Sequence, residues 1–350
     1  MKPEDLVRPE ILALSAYAVA PAAGMVKLDA MENPYLLPPA MRRELAERLA
    51  AVELNRYPEP NSPRLRELLI GKMRVPAGMD VLLGNGSDDL IQVIALALAR
   101  PGAVMMYPSP TFVMYSMNAT FSGMRAVPAP LRDDFSFDAD AFIARMRAER
   151  PALVFLAYPN NPTGVLYPRA DVRRVIEAAP GLVVLDEAYH IFAGETFMDE
   201  LPRYTNLLVL RTVSKLGLAG IRLGYLAGRP EWLAQFNKVR QVYNVNALTE
   251  AAALFVLERL EALEAQAAEI RSERERLGAA LRAIDGVTVF PSRANFFLVR
   301  VRDAVRTYEG LKRQGVLVRN LHPALANCLR ITVGTPDENR ILLNALKEAL

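Results

Sequence analysis

Leu207-Leu208-Val209-Leu210-Arg211-Thr212-Val213-Ser214-Lys215-Leu216-Gly217-Leu218-Ala219-Gly220-Ile221-Arg222 is the stretch whose reading decides the fold. Its opening apolar run has none of the polar alternation of a half-solvated strand, so it reads as a strand buried on both faces. Sheets of that kind are mostly parallel and covered by helices, and their ligands sit outside the carboxyl ends of the strands. Lys215 falls at such an end. A lysine there can condense with an aldehyde, and the hydroxyls of Thr212 and Ser214, with Arg222, can hold a phosphate dianion beside it. Taken alone, the segment reads equally well as a solvated loop lysine among turn residues.

The neighbouring sequence has the same character. Apolar runs at 103–107, 153–158 and 183–185 are bounded by Pro, Gly, Asn or Asp, and amphipathic helical patterns at 88–99, 139–149, 169–178 and 231–240 lie between. This alternation predicts an α/β fold with a mostly parallel sheet between helices. A helical stretch over about 248–283 follows. Then come short strands at 287–290, 296–301, 316–319 and 329–333 with helices at 304–314 and 338–350, the pattern of a smaller α+β domain. The proline-broken segment before residue 36 has no core element of its own and is expected to wrap onto the small domain or a partner subunit. The expected division is therefore 36–250 for the large domain, and 1–35 with 251–350 for the small one.

Composition narrows the function classes. With 350 residues, 52% hydrophobic and 23% charged, the chain is a folded globular protein long enough for two domains. Its net charge is only +3, and basic residues are interleaved with acidic ones, as in Arg271-Ser272-Glu273-Arg274-Glu275-Arg276, which argues for solvated helix faces and against a nucleic-acid partner. Cys328 is the only cysteine, which rules out an intrachain disulfide and suits a reducing compartment. Glu4, Asp5 and Glu10 near the start argue against a secretory leader, and the run at 93–99 is far short of the roughly 20 residues of a membrane span. A soluble cytoplasmic protein is expected. His190 and His322 have no partners at ligand spacing, so no metal site is expected.

Three further motifs fall at strand ends. In Val183-Val184-Leu185-Asp186-Glu187-Ala188-Tyr189, Asp186 closes an apolar strand, where an unpaired carboxylate is costly to desolvate. A protonated pyridine nitrogen is a fitting partner, with Tyr189 as a donor to a phenolate; an ordinary helix cap and a core tyrosine are the alternative. Tyr158-Pro159-Asn160-Asn161-Pro162-Thr163-Gly164 is a rigid turn past a buried strand, with Asn161-Pro162 a candidate cis bond and Asn161 a second phenolate donor. Leu83-Gly84-Asn85-Gly86-Ser87-Asp88-Asp89 opens a helix, where free N–H groups favour a phosphate, although Ser87 or Asp88 could equally be a plain N-cap.

Taken together, and in this order, the motifs resemble the fold-type-I pyridoxal-phosphate aminotransferases over nearly the whole chain. Lys27-Leu28-Asp29-Ala30-Met31-Glu32-Asn33-Pro34-Tyr35 and Asn55-Arg56-Tyr57-Pro58 place it nearest to those acting on histidinol phosphate, together with Leu329-Arg330-Ile331-Thr332-Val333-Gly334 near the end. The resemblance implies pyridoxal 5′-phosphate bound to Lys215 as a Schiff base, with Lys215 also the proton shuttle and Asp186 at the ring nitrogen. It implies Asn161 and Tyr189 at the phenolate and Phe112 stacked on the ring, a place for which Tyr115 competes. Gly86, Ser87, Asp88, Thr212, Ser214 and Arg222 would surround the phosphate. Tyr57 would reach the neighbouring subunit's site in a homodimer, and Tyr17, Asn33, Arg319 and Arg330 would bind substrate.

The implied reaction is transamination between histidinol phosphate and 2-oxoglutarate, in histidine biosynthesis. The alternatives are a related aminotransferase of aromatic or other amino acids, a threonine-phosphate decarboxylase, or a silent cofactor-binding regulator. Three features depart from the family pattern. Arg222 follows Lys215 by one residue fewer than is common, position 112 is Phe where relatives often have Tyr, and the connection from Arg319 to Arg330 is compact.

Overall fold

The computed structural model describes residues 1–16 and 20–350. Its large sheet has seven strands: β1 (Asp80–Gly84), β2 (Val104–Ser109), β3 (Arg125–Pro130), β4 (Leu153–Ala157), β5 (Leu182–Asp186), β6 (Leu207–Thr212) and β7 (Gly224–Gly228). Across the sheet the order is β1-β7-β6-β5-β4-β2-β3. Only β7 runs antiparallel to its neighbours, and the other adjacent pairs are parallel.

The strands are buried on both faces because alternate residues serve two cores. Val183, Leu185, Val154, Leu156 and Val209 point into one helix layer; Leu182, Val184, Leu153, Phe155, Leu208 and Leu210 point into the other. Each such side chain contributes roughly 1.5–3 kcal/mol on burial, which explains why these strands carry no polar alternation.

A separate apolar cluster holds Ile270, Leu277, Phe296, Val299, Leu329, Ile331, Leu342 and Leu346, and the N-terminal residues Leu28 and Met31 join it. Its four-stranded antiparallel sheet runs Arg319–Asn320, Cys328–Thr332, Phe296–Arg300, Thr288–Val289. Val26–Lys27 pairs in parallel with Val316–Leu317, while Arg8 donates to the carbonyls of Thr120 and Phe121. Among the described residues, no helix is long and apolar enough to cross a membrane.

Some sequence expectations need correction. The stretch 248–283 is two helices, Ala247–Glu258 and Glu261–Arg282, broken where Arg259 leaves helical geometry (φ −116°, ψ 38°). Residues 316–319 are not one strand. Val316–Leu317 joins the N-terminal segment and Arg319–Asn320 joins another sheet, because a partner from far upstream takes the first half. Three strands of the large sheet, β1, β3 and β7, were not anticipated, nor was Val26–Lys27. In one of these, β3, the sequence Arg-Ala-Val-Pro-Ala-Pro is tolerable only because it lies at the sheet edge, where a missing N–H costs no ladder bond.

Candidate active site

The topology gathers the motifs at one edge. β2, β4, β5 and β6 run in one direction, and β1 shares it because antiparallel β7 stands between β1 and β6. Their carboxyl ends therefore deliver Phe112, Asn161, Asp186 and Lys215, with the Gly86–Ser87 helix start, to the same rim. Because β7 is antiparallel, its amino end lies there too and brings Arg222. A cavity at this rim is lined by Met31, Ser87, Asp88, Phe112, Asn161, Asp186, Tyr189, Thr212, Ser214, Lys215 and Arg222.

Lys215 lies in a 3₁₀ turn, Ser214–Leu216, and its Nζ donates to the carbonyl of Ala30 at 3.0 Å. Burial of the amine, reinforced by the nearby Arg330 charge, brings its pKa down to about 8. Asp186 is buried. One carboxylate oxygen accepts from the Tyr115 hydroxyl at 2.8 Å and the other from the Ala188 N–H at 3.1 Å. Burial pushes its pKa up to about 6, against the lowering effect of both bonds.

Between these two groups sits a donor pair. Asn161 Nδ2 donates to the Tyr189 hydroxyl at 3.2 Å, and that hydroxyl donates to Met31 Sδ at 3.2 Å. Asn161 Oδ1 accepts from Arg330 Nη1 at 2.6 Å, while Arg330 Nη2 donates to the Asp29 carbonyl at 2.8 Å. Asn161-Pro162 is cis, as are Tyr158-Pro159 and Ser109-Pro110.

The third corner is an anion cradle. Helix Ser87–Leu98 starts at Gly86 without a side-chain cap, so its first N–H groups face outward. Gly86 (φ +85°) lies under the Arg222 guanidinium, which a Cβ there would meet at 2.7 Å, and Arg222 Nη2 stands 3.5 Å from Asp88 Oδ2. Thr212 Oγ1 donates to Ser214 Oγ at 2.8 Å. Despite the shortened spacing from Lys215, Arg222 reaches this corner by adopting a left-handed backbone (φ +50°), a conformation costly to a residue with a Cβ.

Gly224 is the tightest point of the cradle, since a Cβ would fall 2.5 Å from both Gly86 C and Ser87 N. These are backbone atoms of the helix start and cannot move aside. Gly224→Ala is expected to lower stability by about 1–3 kcal/mol and to weaken phosphate binding at the displaced helix start. Denaturant unfolding and a cofactor titration check both.

Other expected residues lie elsewhere. Asn33 stands outside the cavity lining, and its amide is engaged with the Leu216 carbonyl (3.0 Å), Gln266 Oε1 (2.9 Å) and the Tyr35 N–H (2.9 Å). It braces the turn that carries Lys215. Arg319 pairs directly opposite Arg330 across two antiparallel strands and is part-buried, and neither lines the cavity, although Arg330 bonds the lining residue Asn161. Tyr57 is 80% exposed and stacks on Tyr243 at 4.5 Å, away from this chain's own cavity. Tyr17 lies outside the described residues. Phe112 lines the cavity, and its ring meets Tyr115 edge-on at 5.8 Å.

Two contributors were not assigned from sequence. Tyr115 entered only as a rival for ring stacking, yet it binds Asp186 from behind. Met31 sits inside a quoted motif, but its thioether contact and left-handed backbone (φ +54°) emerge only in three dimensions.

Pyridoxal phosphate carries an aldehyde, a phenolate, a protonatable nitrogen and a phosphate. The rim offers an amine, a paired N–H and O–H donor, a buried carboxylate and an uncapped helix start with an arginine, one for each. The residues present fit the group.

Comparison with known proteins agrees with this chemistry. The family profile described as "Aminotransferase class I and II" matches residues 23–346. The chain is 56% identical to "Histidinol-phosphate aminotransferase 2" of Cupriavidus pinatubonensis, over 99% of this chain and 97% of that one. It is 53% identical to "Histidinol-phosphate aminotransferase" of Chromobacterium violaceum, over 98% of each. A crystal structure of histidinol-phosphate aminotransferase from Sinorhizobium meliloti in complex with pyridoxal-5′-phosphate superposes with a TM-score of 0.86 at 26% identity, covering 98% of this chain and 97% of that one. The chain belongs to the class I and II aminotransferases, among the histidinol-phosphate aminotransferases.

Proposed function

We propose that the chain transfers the amino group of L-histidinol phosphate to 2-oxoglutarate, giving imidazole-acetol phosphate and L-glutamate, a step of histidine biosynthesis, with pyridoxal 5′-phosphate as cofactor. The observation that carries this reading is the placement of Lys215 and Asp186 in one cavity with the Asn161–Tyr189 pair, in a chain that shares more than half its residues with relatives of that name. When bound, the cofactor supplies an aldehyde for the amino group and a cationic ring that stabilises negative charge at the substrate carbon.

The residues divide the remaining work. Lys215 binds the aldehyde and, once free, takes the proton from the substrate carbon; an amine already lowered to about 8 is available as a base near neutrality. Asp186 keeps a proton on the ring nitrogen by staying anionic beside it. Asn161 and Tyr189 donate to the phenolate oxygen, and Phe112 forms the wall against the ring face. The Gly86–Asp88 N–H groups, Thr212, Ser214 and Arg222 hold the phosphate. Arg330 offers a planar fork for the anionic end of either substrate, the carboxylate of glutamate or the phosphate of histidinol phosphate, with Arg319 and Tyr17 as further contacts. Tyr57, exposed on this chain, serves the neighbouring site in a homodimer, and the enzyme works in the cytoplasm.

Incubation of the cofactor-loaded protein with histidinol phosphate and 2-oxoglutarate should yield glutamate and imidazole-acetol phosphate in equal amounts. Release of carbon dioxide from threonine phosphate instead would overturn the reading. Arg330→Lys keeps the charge but loses the fork that now spans Asn161 and Asp29. Its kcat/KM should fall by about 10–100-fold, mostly through KM, for both anionic substrates. An unchanged KM would remove Arg330 from the substrate site.

A further inference from the structure

Asp186 does not meet the cavity alone. On the side away from the cavity its Oδ2 accepts a 2.8 Å hydrogen bond from Tyr115, whose side chain is fully buried. The hydroxyl has little freedom to leave. The Tyr115 ring stacks on Phe155 of β4 at 4.6 Å and 7°, meets Tyr107 of β2 at 6.1 Å, and is met edge-on by Phe112 at 5.8 Å. Stacked and edge-on aromatic contacts of this kind fix a ring's tilt as well as its depth.

Helix Met114–Ser122, which carries Tyr115, also follows directly from Phe112 in the chain, so one short segment sets both a wall of the cavity and the rear partner of its carboxylate. The other oxygen, Oδ1, is held by the Ala188 N–H. Between them the two donors fix the carboxylate plane and leave lone pairs of both oxygens for a partner in the cavity.

We propose that Tyr115 is a positioning residue for the reaction. By donating to Asp186 from behind, it holds that carboxylate as a charged, correctly aimed acceptor for the protonated ring nitrogen of the cofactor. The proposal rests on the reading of this cavity as a pyridoxal-phosphate site.

A donor of this kind is needed because burial and the nearest carboxylates work against the charge on Asp186. Of the charged groups around it, Asp88, from the helix start, and Glu187, next to it in the chain, are repulsive, while the cations Lys215 and Arg222 stand across the same cavity. Burial adds to the carboxylates, and the Tyr115 and Ala188 hydrogen bonds are the largest influences opposing the combination. The phenols of Tyr189 and Tyr167 are the remaining titratable groups near Tyr115, and burial holds Tyr115 itself protonated as a donor throughout the working range.

The sign of the effect follows. The cofactor's ring nitrogen prefers the ionised Asp186, so affinity should fall as pH drops through the carboxyl's pKa, which burial has raised. Loss of the Tyr115 hydroxyl raises that pKa further and moves the fall to higher pH.

The test is a titration of the purified full chain with pyridoxal phosphate, followed by visible absorbance and circular dichroism, from acid to alkaline pH. The wild type is compared with Tyr115→Phe, and with 3-fluorotyrosine placed at 115. Tyr115→Phe removes one oxygen and keeps the aromatic contacts. Its acid limb of binding should move up by about one pH unit, the scale of a hydrogen bond to a charged group. The fluorinated ring keeps the hydroxyl and makes it a stronger donor, so its limb should move the other way even if the Phe variant folds poorly. Coincident acid limbs in all three proteins would overturn the role given to Tyr115 while leaving the cofactor site intact. Failure of the wild type to take up pyridoxal phosphate at any pH would instead bring down the site reading, and the inference with it.

Discussion

Lys215→Ala lowers transamination by at least about 10³-fold, the combined scale of losing a covalent anchor and a general base. The protein should stay folded and still admit the cofactor, because the other holding groups belong to separate elements. Asp186 ends β5, Asn161 follows β4, and the cradle is built from the start of helix Ser87–Leu98 and the amino end of β7. Removal of the amine also leaves the Ala30 carbonyl without its 3.0 Å partner. That loss, about 1 kcal/mol for one hydrogen bond, is small beside the loss of chemistry.

The polar groups nearest the amine are already engaged. Asn161 Oδ1 is engaged with Arg330, and the Tyr189 hydroxyl is held by Asn161 and Met31. Single-turnover absorbance with histidinol phosphate measures the effect. A variant retaining a tenth of wild-type turnover would show that Lys215 is not the base.

Asp186→Asn is expected to cost about 10²–10³-fold in kcat, the range for removing one preorganised electrostatic partner from a dry site. The change is nearly isosteric. The Tyr115 hydroxyl can still donate to the amide oxygen, and the packing of Tyr115 on Phe155 is untouched. What disappears is the negative charge, and with it the reason for the ring nitrogen to keep its proton. Cofactor affinity should fall too, and its dependence on acid pH should flatten, because the group that titrates at about 6 is gone. Thermal unfolding of the cofactor-free variant should stay close to wild type, since the cheaper burial of a neutral amide is offset by the Ala188 N–H left facing an NH2 group. Full activity in this variant would mean that the charge at 186 is structural.

The large sheet was legible because its strands obey a strict rule. Val183–Leu185 and Leu207–Leu210 are apolar at every position, and only a strand covered on both faces tolerates that. The residues at the ends of these strands were legible for the same reason. A lysine or aspartate just past a buried run has few places to go except the ligand edge. β7 was not, because Gly224-Tyr225-Leu226-Ala227-Gly228 is short and bounded by glycines that look like turn residues. In the fold those glycines are close-approach points against Gly86, Ser87 and Leu208.

Asn33 illustrates the other limit. A motif can mark a residue as belonging near the site, but only tertiary structure decides whether its amide faces substrate or the carbonyl of Leu216. Tyr115 was read as a stacking rival because sequence gives its distance from Phe112 along the chain. The 71-residue leap to Asp186 is made by the sheet.

The proposed reaction turns on the amine at position 215 carrying the cofactor. Borohydride reduction of the reconstituted protein, followed by proteolysis and mass spectrometry of the peptides, tests it directly. A single phosphopyridoxyl modification is expected, on the peptide containing Lys215. Modification of another lysine, or of none, would contradict it.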